Sequence, residues 1–281
     1  MIKINKNRRL ARCIILLVVA IMLSSNVVFA AGGEFSTSLS PEVVRKYSTY
    51  KGTNATKIPI ITYHKIVSDK DKRRKPYRND KWTISQSDLE EQIGWLRKNN
   101  YRTISCDEFY LWHQGKIKLP KRSVLITMDD GKTASVNRLF QLLRKYNMKG
   151  TVFVIGKPAL AKDSKSFMST RRMRRVHKVY PKFEFQSHTY ALHYRSAYKG
   201  SYNRFFKDSA IMKKWYGFNY IAYPYGNYSN AMIRAYNNNG IRMGFSFGDY
   251  GYAKRNQNRY KIKRFGVKDS TSMRKFKNWC P

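Results

Sequence analysis

Two adjacent carboxylates, Asp129 and Asp130, end an apolar, β-branched run over residues 123–128 and are followed at once by Gly131. The run reads as a buried strand and the glycine as a turn, so the acids stand at a strand end. Side-by-side carboxylates repel. A fold that keeps them there offsets the repulsion with a cation, a shared proton or a metal ion, the plainer alternative being a pair of solvated turn acids. His188 and His193 lie further on, five residues apart. They would point about 140° apart on a helix and to opposite faces on a strand, so they meet at one ion only if the chain bends between them. A loop leaving the C-terminal end of a strand bends in this way. One core histidine and one surface histidine is the other arrangement such a pair adopts. His64 closes another apolar run, residues 58–64, and Pro224-Tyr225-Gly226 follows a third, residues 218–223. There proline keeps Tyr223 extended and glycine permits a tight turn, which makes the backbone rigid enough to aim its amides.

These strand ends need a frame. Residues 67–81 are crowded with Lys, Arg and Asp and read as a solvated loop. Ser87-Asp88-Leu89-Glu90 matches a capping box, and Leu89, Ile93 and Leu96 share a face, which predicts a helix over 88–99. A short strand over 101–105 and a helix over 106–114 precede the central strand. A helix over 135–146, a strand over 150–155, a basic helix over 169–178 and a strand over 183–188 follow it. Ser229 caps a helix over 230–238, Gly240 ends it, and strands over 241–247 and 259–267 complete the order, the last one carrying Arg264. Strand, helix and strand in succession indicate parallel β-α-β units and an α/β fold.

The chain has 281 residues, 42% hydrophobic and 15% aromatic, enough for a sizeable core and not the composition of a disordered basic protein. Its formal charge of +39, from 56 Lys and Arg against 17 Asp and Glu, predicts attraction to polyanions: nucleic acid, anionic lipid headgroups or the phosphate-rich polymers of a bacterial wall. The N-terminus narrows that choice. A basic leader, an apolar core over residues 14–23 and Val28-Phe29-Ala30 resemble a secretory signal over residues 1–30, too short in its apolar part for a comfortable membrane span, although an uncleaved anchor is the alternative. Export points away from nucleic acid and towards the cell wall or surface. Cys106 and Cys280 remain in the mature chain, too few for a disulfide scaffold. Residues 31–56 are polar and read as a tether or loosely packed arm.

Thr127-Met128-Asp129-Asp130-Gly131, the paired histidines of 187–193 and Ala222-Tyr223-Pro224-Tyr225-Gly226, in this order, resemble the first three motifs of the polysaccharide deacetylases, the carbohydrate esterases of the NodB-homology type. The resemblance covers about residues 57–267. It implies a distorted, partly open β/α barrel, a single domain over 57–281. It also implies that Asp129 is the catalytic base, that Asp130, His188 and His193 bind one divalent metal, and that the Tyr225 backbone amide helps to hold the oxyanion.

The chain departs from the common pattern. The histidine spacing is five rather than four, no histidine follows His193 to serve as general acid, and Ala222 stands where an arginine usually begins the third motif. The spacing and the early Tyr63-His64 pair resemble the branch that deacetylates poly-β-1,6-N-acetyl-D-glucosamine, the biofilm exopolysaccharide. There the early histidine is the acid, a role that falls on His64. Arg264 is the candidate for the missing cation beside the base, a surface strand arginine being the alternative. The chemistry is consistent. One carboxylate and two imidazoles leave coordination positions open, as catalytic ions require, with zinc as the default and iron, cobalt or nickel suited as well. Asp129 can then take a proton from water and His64 deliver one to the leaving nitrogen.

Other classes are a deacetylase of peptidoglycan or chitin-type β-1,4 polymers, a glycoside hydrolase and a non-catalytic cationic wall or polysaccharide binder. A glycoside hydrolase needs two carboxylates roughly 5 to 9.5 Å apart across the bond and no histidine pair. Loss of activity to a chelator separates the first two, and acetate release excludes the binder.

Overall fold

β-Branched and aromatic runs alternate here with helices, most of them capped by a serine, and most of the runs become strands. The computed structural model describes residues 50–160, 165–248 and 250–280, with Phe35, Val44, Arg45 and Tyr47; the 1–30 leader and most of the arm lie outside the described residues. In chain order the strands are β1 (Lys57–Ile58), β2 (Ile60–Tyr63), β3 (Lys65–Val67), β4 (Thr83–Ser85), β5 (Arg102–Thr103), β6 (Ser123–Met128), β7 (Gly150–Val154), β8 (Phe183–Ser187), β9 (Tyr220–Ala222), β10 (Met243–Phe245), β11 (Ala253–Lys254) and β12 (Phe265–Gly266). The helices are α1 (Asp69–Lys72), α2 (Gln86–Lys98), α3 (Cys106–His113), α4 (Thr133–Lys145), α5 (Gly156–Ala159), α6 (Thr170–Val179), α7 (Tyr202–Tyr216), α8 (Asn230–Asn238) and α9 (Met273–Trp279).

The main sheet is parallel throughout, in the order β10-β9-β8-β7-β6-β2-β12, with β5 also on β6. Leu125 donates to the Pro59 carbonyl on one side of β6, whereas the Val124 carbonyl accepts from Ile104 on the other. Thus β5 and β7 share one edge of β6, β5 along its first half and β7 along its second. Both faces are covered, as a parallel sheet requires. Ile60, Leu125 and Phe153 enter one apolar cluster with Phe109 and Trp112 of α3. Their chain neighbours Ile61, Ile126 and Val152 enter another with Leu89 and Ile93 of α2 and Leu139 of α4. The sheet curls into a partly open barrel in a single domain of the expected type.

The segment expected as one strand over 259–267 is instead the piece that draws the two sheet edges together. Its first part lies on β10, where Ile262 bridges Phe245 and donates to the Gly244 carbonyl, and its last part, β12, lies on β2. One straight strand cannot follow both edges, so the chain steps across between them, and Arg264 occupies the step rather than the strand. Residues 67–81 contain the short helix α1, because Ser68 caps it by accepting the Asp71 amide. The helix expected from residue 88 begins at Gln86, since the box that forms is Ser85 with Asp88. Helices α7 and α9 were not expected.

Among the described residues of the arm, Phe35, Tyr47 and Ala55 are buried, whereas Arg45, Lys51, Gly52, Thr53 and Thr56 are exposed. Phe35 is fully buried against Phe185, Tyr216 and Phe218, and its carbonyl accepts the Phe185 amide. Tyr47 is buried over Glu108. Cys106 and Cys280 are both free and buried. No helix among the described residues is long and apolar enough to cross a membrane.

Candidate metal and catalytic centre

Three left-handed backbone positions build the site, one at each of three strand ends. Asp130 after β6 has φ 73°, Thr189 after β8 has φ 69° and Tyr225 after β9 has φ 58°. Among the described residues the other two non-glycine residues with positive φ are Asn100 and Asn147, and asparagine tolerates this region where most residues do not. Unfavourable backbone is therefore concentrated where the barrel presents functional groups. At β6 the Gly131 amide bonds back to the Asp129 carbonyl at 3.0 Å, closing a three-residue turn centred on Asp130. That turn separates the two carboxylates. Gly131 must be glycine, because a Cβ there would lie 2.8 Å from the Val154 side chain at φ 75°.

Asp129 turns inward, 2% exposed, and meets Arg264, which is fully buried. The guanidinium donates from both terminal nitrogens, one to each carboxylate oxygen at 2.8 Å, while Nε donates to the Ser246 carbonyl at 2.9 Å. Burial opposes ionisation of Asp129, but the charge and bonds of Arg264, together with the nearby His188 and His64, outweigh it and hold the carboxyl below its ordinary value. Asp130 turns the other way. Its Oδ1 lies 3.1 Å from His193 Nε2 and 3.6 Å from His188 Nε2. Here too burial acts to raise the carboxyl, and the bond to His193 with the nearby histidines pulls it well below the carboxylate range.

His188 Nδ1 lies 2.8 Å from the Ala222 carbonyl on β9, which makes that nitrogen the donor and turns the lone pair of Nε2 towards Asp130. The two rings are 5.0 Å apart. One ligand atom from each of Asp130, His188 and His193 falls within 4.8 Å of the other two. Two imidazoles, one with its tautomer set from behind, and an ionised carboxylate form a donor set that fits a divalent ion with open positions.

His64, between β2 and β3, faces the same space, with Nε2 3.9 Å from Asp129 Oδ2. Trp82 and Phe247 wall it at ring distances of 5.2 and 5.0 Å, and its Nδ1 is buried without a partner. Burial lowers the imidazole from its ordinary value despite the attraction of Asp129 and Asp130. Tyr225 presents its ring to His193 at 5.1 Å. These groups border a cleft of about 470 Å³. On its rim Lys268 sits 5.1 Å from the Trp82 ring and 5.3 Å from Tyr250, Lys81 5.5 Å from Trp82, and Arg195 5.1 Å from Tyr225. Among the described residues none of these three cations is paired with a carboxylate.

Six of the seven residues singled out in the sequence, Asp129, Asp130, His188, His193, His64 and Tyr225, thus line one cleft, and Arg264 stands behind Asp129. Sequence reasoning missed Trp82, Phe247 and the Ala222 carbonyl. No local pattern marks the first two, and a carbonyl has no signature in a sequence.

Residues 116–244 match the family described as polysaccharide deacetylase. His64 and Arg264 fall outside that match. A poly-beta-1,6-N-acetyl-D-glucosamine N-deacetylase of Staphylococcus aureus (strain MSSA476) is 28% identical over 212 residues, spanning 70% of this chain and 72% of that protein. Among solved structures, the Streptococcus pyogenes deacetylase PplD superposes with a TM-score of 0.69 at 20% identity, over 82% of this chain and all (100%) of that one. IcaB from Ammonifex degensii gives 0.65 at 22% identity, over 81% and 98%. The matched segment carries both aspartates, both histidines and the left-handed tyrosine, and over it the chain is similar to the polysaccharide deacetylases, hydrolases of amide bonds.

Proposed function

We propose that the protein is a secreted, metal-dependent N-deacetylase that removes acetyl groups from N-acetylglucosamine in an extracellular polysaccharide, poly-β-1,6-N-acetyl-D-glucosamine above others. The observation that carries this reading is the convergence of Asp130, His188 and His193 within 4.8 Å beside an ionised Asp129 locked by Arg264. The similarity to the staphylococcal enzyme favours the β-1,6 linkage. The leader over residues 1–30 supports export, and the charge of +39 supports retention on anionic wall polymers.

Asp130, His188 and His193 would hold the ion, which when bound polarises the acetyl carbonyl and acidifies water. Asp129 takes the proton from the attacking water. Its fork with Arg264 keeps it ionised and aimed, and the γ-like turn at Asp130 keeps it off the ion. The Tyr225 amide faces the charge that develops on the carbonyl oxygen, and the left-handed backbone there fixes its direction. His64, on the Asp129 side of the cleft, delivers a proton to the departing sugar nitrogen. Its apolar walls exclude water from that transfer.

The test is acetate release from β-1,6 and β-1,4 N-acetylglucosamine oligomers, with and without chelator. Release from the β-1,6 oligomer, abolished by chelator and restored by a divalent metal, is expected. Chelator-resistant release refutes metal dependence, and a β-1,4 preference refutes the substrate. Asp129→Asn should keep the metal and lose activity, whereas His188→Ala should lose both.

A further inference from the structure

The residues between His188 and His193 form no regular structure, yet each of their four backbone N–H groups has a side-chain acceptor. Thr189 donates to the Ser187 hydroxyl at 3.1 Å and Leu192 to the Thr189 hydroxyl at 3.2 Å. The two in the middle go to one residue. Tyr190 donates to Asp208 Oδ1 and Ala191 to Asp208 Oδ2, each at 2.9 Å. Asp208 lies on α7 and is 6% exposed, and among the described residues no cation lies at ion-pair distance from it. A buried carboxylate with no cation in contact is an expensive way to tie down a loop, since a neutral side chain or water would satisfy the same amides. What the carboxylate offers that a neutral group does not is two equivalent acceptors on one rigid plane.

We propose that Asp208 is the positioning residue of the metal loop: by gripping the Tyr190 and Ala191 amides it sets the bend that brings His193 to the distance from His188 at which both reach Asp130. The proposal rests on the reading of Asp130, His188 and His193 as the metal site. The grip explains how a five-residue spacing works. Thr189 starts the bend in left-handed backbone. The Gly156 and Lys157 amides hold the Thr189 and Tyr190 carbonyls at 3.0 and 2.8 Å on one side, and Asp208 holds the next two amides on the other. Fixed from both sides, the loop carries the His193 imidazole to Asp130 before any ion arrives. Asparagine in place of Asp208 has one acceptor and sets an NH₂ group against the second amide, so the loop loses half of the grip.

The experiment uses full-length wild type and Asp208→Asn, each stripped by chelator and titrated with Zn²⁺ and Co²⁺. The variant is expected to bind Zn²⁺ about 10- to 100-fold more weakly, as loss of a group behind a ligand does. Its Co²⁺ absorption spectrum should differ, and excess free metal should recover part of its activity. Affinity within about threefold of wild type with an unchanged Co²⁺ spectrum overturns the proposal. Hydrogen exchange on metal-free wild type needs no variant. Protection of the Tyr190 and Ala191 amides supports the proposal, and exchange at open-chain rates overturns it even if Asp208→Asn fails to fold. A wild type that binds no ion, with those amides protected, refutes the metal reading instead and leaves the grip on the loop standing.

Discussion

Asp129 and Arg264 form a fully desolvated ion pair. Removing one partner of such a pair leaves a charge with neither water nor a counter-ion, a loss of about 3–5 kcal/mol. Arg264→Met is therefore expected to destabilise the protein by about 3 kcal/mol or more in denaturant titration, and Arg264→Met with Asp129→Leu to recover much of that while remaining inactive. A single variant as stable as wild type would mean that Asp129 neutralises itself by taking up a proton. The pairing was foreseeable only in part. Arg264 drew notice because Ala222 occupies the place of a cation the family pattern requires, not through anything in residues 259–267, where it is one cation among several. Asp208 gave no such cue, because a carboxylate that binds amides leaves no complementary residue to look for.

The elements were legible where periodicity or a cap marked them. The fully buried runs of β6 and β7 and the helix α8 after Ser229 stand close to their expected bounds. Helix α7 escaped because Tyr, Phe, Lys and Asp are interleaved along it, and the basic, aromatic sequence hides its buried face of Phe205, Met212 and Tyr216. Residues 259–267 misled because alternation of cationic and apolar residues reports burial on one side, not which edge a strand pairs with. Two glycines separate conformational need from chance. Gly226 has φ 76°, and a Cβ there would lie 1.9 Å from the Phe247 carbonyl oxygen, whereas a Cβ at Gly94, inside α2, meets nothing within 4 Å. Gly94→Ala should raise stability by about 0.5–1 kcal/mol through helix propensity. Gly226→Ala should lower both the unfolding temperature and the activity, since it displaces Tyr225. Thermal unfolding of the two variants checks both signs.

In the molecule as a whole, the end of the barrel away from the catalytic cleft carries a buried acid, Glu108. Glu108, 1% exposed, accepts from the Tyr47 hydroxyl and Lys149 at 2.5 Å and from the Ser105 amide at 2.8 Å. Burial works against its charge, but Lys149 and these bonds win, and its carboxyl lies below the usual 4.5. A depressed folded value means that the unfolded chain binds the proton more tightly. The stability Glu108 contributes is thus complete above about pH 4.5 and is lost as pH falls through the folded value. Glu108→Gln should be less stable than wild type at pH 7, with the gap closing as pH falls below about 4. Unfolding curves taken from pH 7 down to 3 decide this, and a gap that widens on acidification would contradict the assignment. The β-α order and the strand-end placement of the site could be read from the sequence, because each depends on local runs and turns. The step by which residues 259–267 draw the barrel edges together could not, because it depends on the distance left between β10 and β2 once the sheet has curled.

Lys81, Lys268 and Arg195 stand near the aromatic rings that border the cleft. Every turnover of an N-deacetylase exchanges a neutral amide for an amine that takes up a proton, so the polymer grows more cationic as the reaction proceeds. A rim of positive charge is then expected to repel such a product over roughly the 8 Å screening distance of physiological salt. An oligomer already bearing free amines beside the target sugar should bind several-fold more weakly than a fully acetylated one at low salt. The difference should fade as ionic strength rises and narrow in a Lys268→Ser, Arg195→Ser variant, outcomes that calorimetric titration with the two oligomers can read. Repulsion of this kind should space successive deacetylations along a polymer, leaving acetylated stretches between the amines.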